Sequence, residues 1–272
     1  MKRFSIALVL ASVVWSKITF AEQYFTGFGL SEPNYLISGF NSSSHNAPLS
    51  TEGNNRMKLR IGVYYRVLAF KEDRSGLYLS YNQNSFWKRA DPGTPFLDNN
   101  YRPELSACLD ILRWITGNED LYIPKIKAFV SRESNWAKGS DYRGYDKIGG
   151  FLEIGQFGKT EYYASFGCWK DLNVSSNNKD IRNYAGDAQI RIGYWYFNTN
   201  RIVKWGTSLD LRFNLDNSDI TSVATSVYFN PLAGKNWKWT PALMVEYYYG
   251  TAECLLYYKA KTNSIRVGIA FM

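Results

Sequence analysis

Apolar and polar residues alternate along much of the chain. In residues 58–70 the odd positions are apolar, beginning with Leu59, while the even positions include Lys58 and Arg66. Successive side chains of an extended strand point to opposite faces, so this pattern predicts a strand with one apolar face and one charged face. The same alternation recurs in residues 186–196, 203–215 and 265–271.

About twelve such runs are present, at residues 34–40, 58–70, 77–88, 103–115, 123–134, 146–157, 161–170, 185–197, 203–215, 220–229, 238–250 and 263–272. Most hold about ten residues, which a tilted strand needs to cross a bilayer, whereas strands of soluble proteins average about five or six. The pattern predicts an all-β fold, a transmembrane antiparallel β-barrel of about 12 strands.

The connections between these runs alternate in length. The long, polar ones are residues 41–57, 89–102, 135–145 and 171–184, and the short ones are residues 71–76, 158–160 and 198–202. Barrels of the bacterial outer membrane place long loops outside the cell and short turns in the periplasm. The predicted location is therefore the outer membrane, with residues 135–145 at the extracellular end.

The first residues are typical of an export signal. A basic start at residues 1–3 precedes an apolar run from Phe4 to Trp15 and a small-residue cleavage site ending at Ala21. The alternative, a membrane anchor, needs an apolar run of about 20 residues. We expect a signal peptide at residues 1–21 and a barrel at residues 22–272.

Composition fits this picture. Aromatic residues make up 17% of the 272 residues, led by 21 tyrosines, and tyrosine favours the membrane–water boundary. The net charge of +8 includes Lys2, Arg3 and Lys17, so the mature chain carries about +5, which favours anionic lipid headgroups. The basic residues fall at positions facing a lumen rather than on one exposed surface, so no nucleic-acid partner is expected.

Three cysteines, Cys108, Cys168 and Cys254, are odd in number and far apart, and predict no disulfide framework. Cys168 lies on an apolar strand face, so we expect its thiol to be buried or to face lipid. The sequence has no cysteine–histidine cluster and no glycine-rich phosphate loop, so zinc and nucleotides are not expected.

Polar residues also occur on the predicted lipid-facing row. Arg132 and Ser134 share the parity of Ile126 and Val130, and Asp146 begins the apolar row of the next strand. These three residues are predicted to meet on the outside of the wall near the headgroups. One interpretation is interfacial anchoring, with the arginine reaching toward headgroups.

A family resemblance suggests another interpretation. Residues 81–87 (Tyr-Asn-Gln-Asn-Ser-Phe-Trp), 94–96 (Thr-Pro-Phe) and 100–104 (Asn-Tyr-Arg-Pro-Glu) resemble the signature of the outer membrane phospholipase A family, and residues 263–269 resemble its last strand. The resemblance implies a twelve-stranded barrel with a serine hydrolase site on its outer wall. It also implies calcium bound where two barrels meet, homodimerisation that switches activity on, and phospholipid as substrate.

The catalytic segment departs from the family. Its members carry His-x-Ser-Asn-Gly, in which serine attacks the ester, histidine takes the proton, and an asparagine on the next strand orients the histidine. The nucleophile position is Ser134, but Arg132 stands at the histidine position and Asp146 at the asparagine position. Arginine has no lone pair and cannot act as a general base. An Arg132–Asp146 salt bridge is expected instead.

Other positions of the family site differ too. Trp136 stands where a glycine helps to hold the oxyanion, and Tyr142 where a serine binds calcium. The remaining calcium positions, Ala137 and Gly93, act through backbone carbonyls, and the polar Gln83 is kept.

Three functions follow as hypotheses. The first is a phospholipase A-like wall protein whose hydrolysis is lost or much reduced. The second is an active calcium-dependent phospholipase A that uses Ser134 with an unusual partner. His45, the chain's single histidine, lies in the first long loop and would supply the imidazole if that loop folded over the wall. The third is a small pore, based on the charged inner face, although side chains also fill barrels of this size.

Overall fold

A computed structural model describes residues 28–30, 33–43, 55–69, 75–88, 96–111, 123–156, 160–198, 202–233 and 241–271. The expected signal peptide, His45 and Gly93 lie outside the described residues. The strands are β1 (Phe28–Leu30), β2 (Asn34–Ser43), β3 (Asn55–Ala69), β4 (Gly76–Lys88), β5 (Asp98–Asp110), β6 (Ile123–Ser134), β7 (Gly144–Gln156), β8 (Thr160–Leu172), β9 (Ala188–Phe197), β10 (Val203–Phe213), β11 (Ile220–Phe229), β12 (Ala242–Gly250) and β13 (Thr262–Phe271).

The sheet closes on itself. Each strand from β2 to β13 pairs antiparallel with its sequence neighbours, and β13 pairs with β2, from Thr262↔Ser43 to Phe271↔Asn34. The predicted twelve-stranded antiparallel barrel is therefore confirmed. The short β1 pairs with β3 beyond the point where β2 stops, so it lengthens the line of β2 without adding a wall position. No described helix is long and apolar enough to cross a membrane.

Strand boundaries follow the prediction with one clear error. Residues 103–115 were predicted as a strand and residues 89–102 as a loop, but β5 begins at Asp98 and ends at Asp110. The first residues of β5 are polar on the inner face, where Asp98 and Asn100 are buried, and such polar residues are typical of a loop. Asp98 Oδ2 accepts a hydrogen bond from the Leu256 backbone N–H at 2.9 Å, and this contact with the last long loop stabilises the early start.

The apolar rows face outward. In β12 buried and exposed residues alternate at every position, with Val245, Tyr247 and Tyr249 outside and Met244 and Tyr248 inside. The predicted outward rows of β3, β9, β10 and β13 agree with this orientation. Cys168 is exposed on the wall, whereas Cys108 and Cys254 are buried, and all three thiols are free.

Charged residues inside the barrel form ion pairs. Arg266, fully buried, donates from Nη1 to Glu246 Oε1 at 3.0 Å and from Nη2 to Glu253 Oε2 at 2.9 Å. Lys58 Nζ lies 2.9 Å from Glu246 Oε1 and 3.4 Å from Glu253 Oε1. Two cations and two anions therefore cancel in a space where an unpaired charge would be costly.

Two loops cover the lumen at the end of the barrel that carries the long connections, called here the loop end. Residues 173–187, which include the four-residue helix α1 (Arg182–Ala185), meet residues 251–261. A buried apolar cluster joins them, formed by Tyr145, Ile181, Ala185, Leu255 and Tyr258. Asp180 adds polar contacts, because it accepts a hydrogen bond from Tyr258 and pairs with Lys259 Nζ at 2.6 Å.

Replacing Arg266 with Met should destabilise the barrel strongly. The two buried glutamates then share one cation, Lys58, instead of two. Breaking a buried ion pair from one side costs about 3–5 kcal/mol of unfolding free energy. Equilibrium unfolding in detergent micelles, followed by tryptophan fluorescence, measures the change. Lys138→Met in an exposed loop is the control, with an expected change below about 0.5 kcal/mol. Equal losses in both variants would contradict the assigned role of the cluster.

The contact between the two loops should depend on pH. Burial raises the pKa of Asp180, but hydrogen bonds from Lys259 and Tyr258 outweigh burial and hold that pKa below its usual value. A depressed pKa stabilises the folded contact above the usual aspartate value of about 3.9, and this stabilisation is lost as the pH falls through the folded pKa.

Hydrogen exchange of residues 251–261 tests this expectation. Protection should persist at neutral pH, decrease in strong acid, and decrease at neutral pH in Asp180→Asn. Asp219→Asn is the control, because the Asp219 carboxylate accepts a hydrogen bond from the Asn217 side chain within its own turn. Unchanged protection in Asp180→Asn would show that the apolar cluster alone holds the loops.

Candidate active site

The candidate site lies where β6 ends and β7 begins, on the outer wall at the loop end. The register of the two strands places Arg132 opposite Asp146 and Ser134 opposite Gly144. The structure therefore brings together the three polar residues that sequence parity placed there. The loop between the strands, residues 135–143, folds back beside them through a short 3₁₀ turn at Gly139–Asp141.

The Arg132 guanidinium is held by two partners. Nη1 donates to Asp146 Oδ1 at 2.8 Å, and Nη2 donates to the Tyr142 hydroxyl at 2.7 Å. The other carboxylate oxygen, Asp146 Oδ2, accepts a hydrogen bond from Asn173 Nδ2 at 2.7 Å. The expected Arg132–Asp146 salt bridge is thus present, although the arginine side chain remains 46% exposed. The arginine is therefore held by two protein groups.

Ser134 is only 1% exposed, although its position belongs to the outward row. Its Oγ accepts a hydrogen bond from the Trp136 backbone N–H at 3.1 Å. Trp136 adopts a positive φ of 50°, a conformation that favours glycine, and its ring stacks on Tyr101 with centroids 4.7 Å apart. The backbone therefore keeps a glycine-like turn beside the serine, while the tryptophan side chain occupies the space next to it.

Asn135 holds the loop in this arrangement. Its Oδ1 accepts from the Arg143 backbone N–H at 2.8 Å and from the Ala137 backbone N–H at 3.3 Å. Its Nδ2 donates to the Asp141 carbonyl at 2.9 Å. Asparagine often accepts a hydrogen bond from the backbone N–H two residues ahead and so favours a turn. Asn135 in the sequence therefore indicates a turn at this point. The contact of Asn173 with Asp146 had no local sequence signal.

Gln83 lies in the same cross-strand row as the serine, through the pairs Gln83↔Tyr101 and Tyr101↔Ser134. Two strand spacings of about 4.8 Å each separate it from Ser134. Its own hydrogen bonds stay within β4, from the Tyr81 hydroxyl at 2.9 Å and to Ser85 Oγ at 2.9 Å. Gln83 therefore supports the wall beneath the site without touching the serine.

Tyr142, the side chain at the family's calcium position in this loop, does not fit the ion. The Tyr142 hydroxyl already accepts a hydrogen bond from the positively charged Arg132, which would repel a divalent cation at that point. Calcium prefers carboxylate and carbonyl oxygens, and the described residues contain no cluster of three acidic, cysteine or histidine side chains for a metal. The Ala137 carbonyl, the other position in this loop that the resemblance implies, is a backbone group that side-chain changes leave in place.

Variants of Trp136 should separate backbone strain from ring stacking. Trp136→Gly relieves the positive φ but loses the ring contact with Tyr101, two effects of about 1 kcal/mol each that offset one another. Trp136→Ala loses the stack and keeps the strain, so its unfolding free energy should be about 1 kcal/mol lower than that of Trp136→Gly. Equal stability of the two variants in detergent unfolding would show that the positive φ is not strained.

Comparison with known proteins identifies the family and the fold. The family model of phospholipase A1 matches residues 31–271. The chain has no match among curated protein sequences. The Salmonella typhi outer membrane phospholipase, solved as a dimer with bound calcium, superimposes with a TM-score of 0.71 at 18% identity, over 91% of this chain and 93% of that chain.

Outer membrane phospholipase A from Escherichia coli has a similar fold. It matches with a TM-score of 0.71 and 18% identity, over 91% of this chain and 99% of that chain. An active-site mutant of the Escherichia coli protein matches with a TM-score of 0.72 at the same identity, over 92% and 93% of the two chains. The barrel, its parity and the match over nearly its whole length lead to one conclusion: this outer-membrane chain belongs to the phospholipase A1 family.

Proposed function

We propose that this protein is an outer-membrane, phospholipase A-like wall protein whose hydrolysis of phospholipid acyl esters is lost or much reduced. The observation that carries the proposal is the Arg132 guanidinium, hydrogen-bonded to both Asp146 and Tyr142 at the place of the family's general base. The protein would contact phospholipid along its wall without cleaving it.

The chemistry of the site supports this proposal. A serine nucleophile needs a neighbouring group that accepts its proton. A guanidinium offers only donors and stays charged at any usable pH. Asp146 carries lone pairs, but one oxygen is bonded to Arg132 and the other to Asn173, and the strand register places it opposite Arg132 rather than Ser134.

Access to Ser134 supports it as well. An attacking hydroxyl must reach an ester carbonyl, but Ser134 is buried beside the stacked rings of Trp136 and Tyr101. The Trp136 N–H, at the position of the oxyanion donor, is bonded to Ser134 Oγ itself. A donor bonded to the nucleophile must change partner before it can stabilise a developing oxyanion.

The proposal also changes the expected role of calcium in the dimer. Because the Tyr142 hydroxyl at the calcium position is bonded to Arg132, a homodimer of this chain would be held by apolar wall contacts rather than by a shared ion. We therefore expect calcium to change neither the oligomeric state nor any residual lipid hydrolysis.

An active phospholipase A is the alternative. One observation favours it: the positive φ of Trp136 keeps a glycine-like turn that places a backbone N–H next to Ser134. The pore hypothesis has less support, because ion pairs cross the lumen and the two loops form a buried apolar cluster at the loop end.

A hydrolysis assay tests the proposal. Refolded wild-type protein in detergent with calcium should release no fatty acid from phospholipid, and Arg132→His with Asp146→Asn should restore a measurable rate. The double variant supplies an imidazole and a neutral partner to orient it, a combination that contributes factors of about 10²–10⁴.

The matched control is the same double variant carrying Ser134→Ala, which should be inactive. Wild-type hydrolysis that Ser134→Ala abolishes would refute the proposal and establish the active alternative. His45→Ala then shows whether the chain's single histidine takes part in that activity.

A further inference from the structure

A second site lies inside the barrel, away from the outer wall. A cavity of about 500 Å³ is enclosed by the inner faces of β3 to β10. This volume falls within the range of about 300–1,000 Å³ that is usual for small-molecule sites. Neither Ser134 nor Arg132 lines the cavity, so nothing in the proposed function explains it.

The lining of the cavity is strongly basic. Two of its residues, Glu104 and Glu153, are acidic. Six are basic: Arg102, Lys125, Lys127, Lys147, Arg191 and Arg212.

Close carboxylates balance part of this charge. Lys127 pairs with Glu104 at 2.5 Å, Lys147 with Glu133 at 2.9 Å, and Arg191 with Asp210 at 3.2 Å. Arg212 Nε lies 4.0 Å from the nearest Asp210 oxygen, a distance at which an ion pair is weak. With Glu153 and with Asp171, which is opposite Lys147 in the β7–β8 register, five carboxylates lie near the six cations, so the cavity keeps an excess of one positive charge.

Two buried donors in this lining have no partner. The Trp169 indole N–H and the Ser131 hydroxyl form no hydrogen bond with any residue that the structure describes. The two residues are 8% and 7% exposed, respectively. An unsatisfied buried polar group costs about 1–3 kcal/mol, so a folded protein rarely keeps two of them in one cavity without a ligand or water.

The two donors flank one cation. Ser131 stands opposite Lys147 in the β6–β7 register, and Lys147 Nζ lies 4.9 Å from the centre of the Trp169 ring. Asp171 stands directly opposite Lys147 in the β7–β8 register, although it does not line the cavity. The cavity side of this group thus presents an indole N–H, a hydroxyl and an ammonium, with Arg212 also in the lining.

We propose that the lumen cavity binds a phosphate group, either the free ion or the phosphate of a small phosphomonoester, through Ser131, Trp169, Lys147 and Arg212. Three or more donors of different directions match the several acceptor oxygens of a tetrahedral oxyanion. The site is independent of the proposed loss of hydrolysis, since it lies on the opposite side of the wall.

Phosphorus NMR on refolded protein in detergent tests the site with inorganic phosphate and with glycerol 1-phosphate, with chloride keeping the ionic strength constant. Saturable broadening of either phosphorus line at millimolar concentration is expected. Stronger binding of glycerol 1-phosphate would identify a phosphomonoester site, and equal or weaker binding would identify a site for the free ion. Absence of saturable binding for both probes would overturn the proposal.

Two conservative variants make the test specific. Trp169→Phe keeps the ring and removes the N–H, and Ser131→Ala removes the hydroxyl. Each should weaken binding about tenfold or more, because each loses a hydrogen bond to a charged ligand. Lys170→Gln, on the exposed outer face of β8, is the matched control and should bind like wild type.

Folding of each variant is checked by its shifted gel mobility before and after heating. Folded Trp169→Phe and Ser131→Ala proteins that bind phosphate as strongly as wild type would show nonspecific attraction to basic side chains, and would overturn the proposed site.

Discussion

A closed sheet surrounded by acyl chains has no water on its outer face to solvate a charge. Charged side chains near the middle of the wall are therefore favoured on the inward face, where they can form ion pairs, as Arg266, Glu246, Glu253 and Lys58 do. This constraint sets the strict parity of the strands. It also fills the lumen with ion pairs and leaves a basic cavity lined by donors that still lack partners.

The Arg132–Asp146 pair stands out against this constraint. It lies on the outward row, but at the loop end, where a charge costs far less than at the membrane midplane. The pair is complementary in charge and is held further by Tyr142 and Asn173. Our proposal assigns this salt bridge to the wall position at which the family resemblance implies proton transfer. In that proposal the fold keeps the architecture of the site but not its chemistry.

The sequence predicted those features that depend on parity and local charge. Alternation located eleven of the strands to within a few residues, and the expected Arg132–Asp146 salt bridge followed from the identities of the two residues. The early start of β5 depends on the last long loop, which donates to Asp98 from more than 150 positions away. The burial of Ser134, the partner Asn173 and the lumen cavity likewise depend on contacts between distant segments, which no periodicity encodes.

Reactivity of Ser134 itself tests the central claim most directly. A fluorophosphonate probe forms a covalent bond only with a serine whose proton is taken by a neighbouring base, and it needs no lipid substrate. Mass spectrometry of the folded wild-type protein should find Ser134 unlabelled, while the Arg132→His, Asp146→Asn variant should be labelled there. Stoichiometric labelling of wild-type Ser134 would contradict the claim that the arginine has abolished its activation.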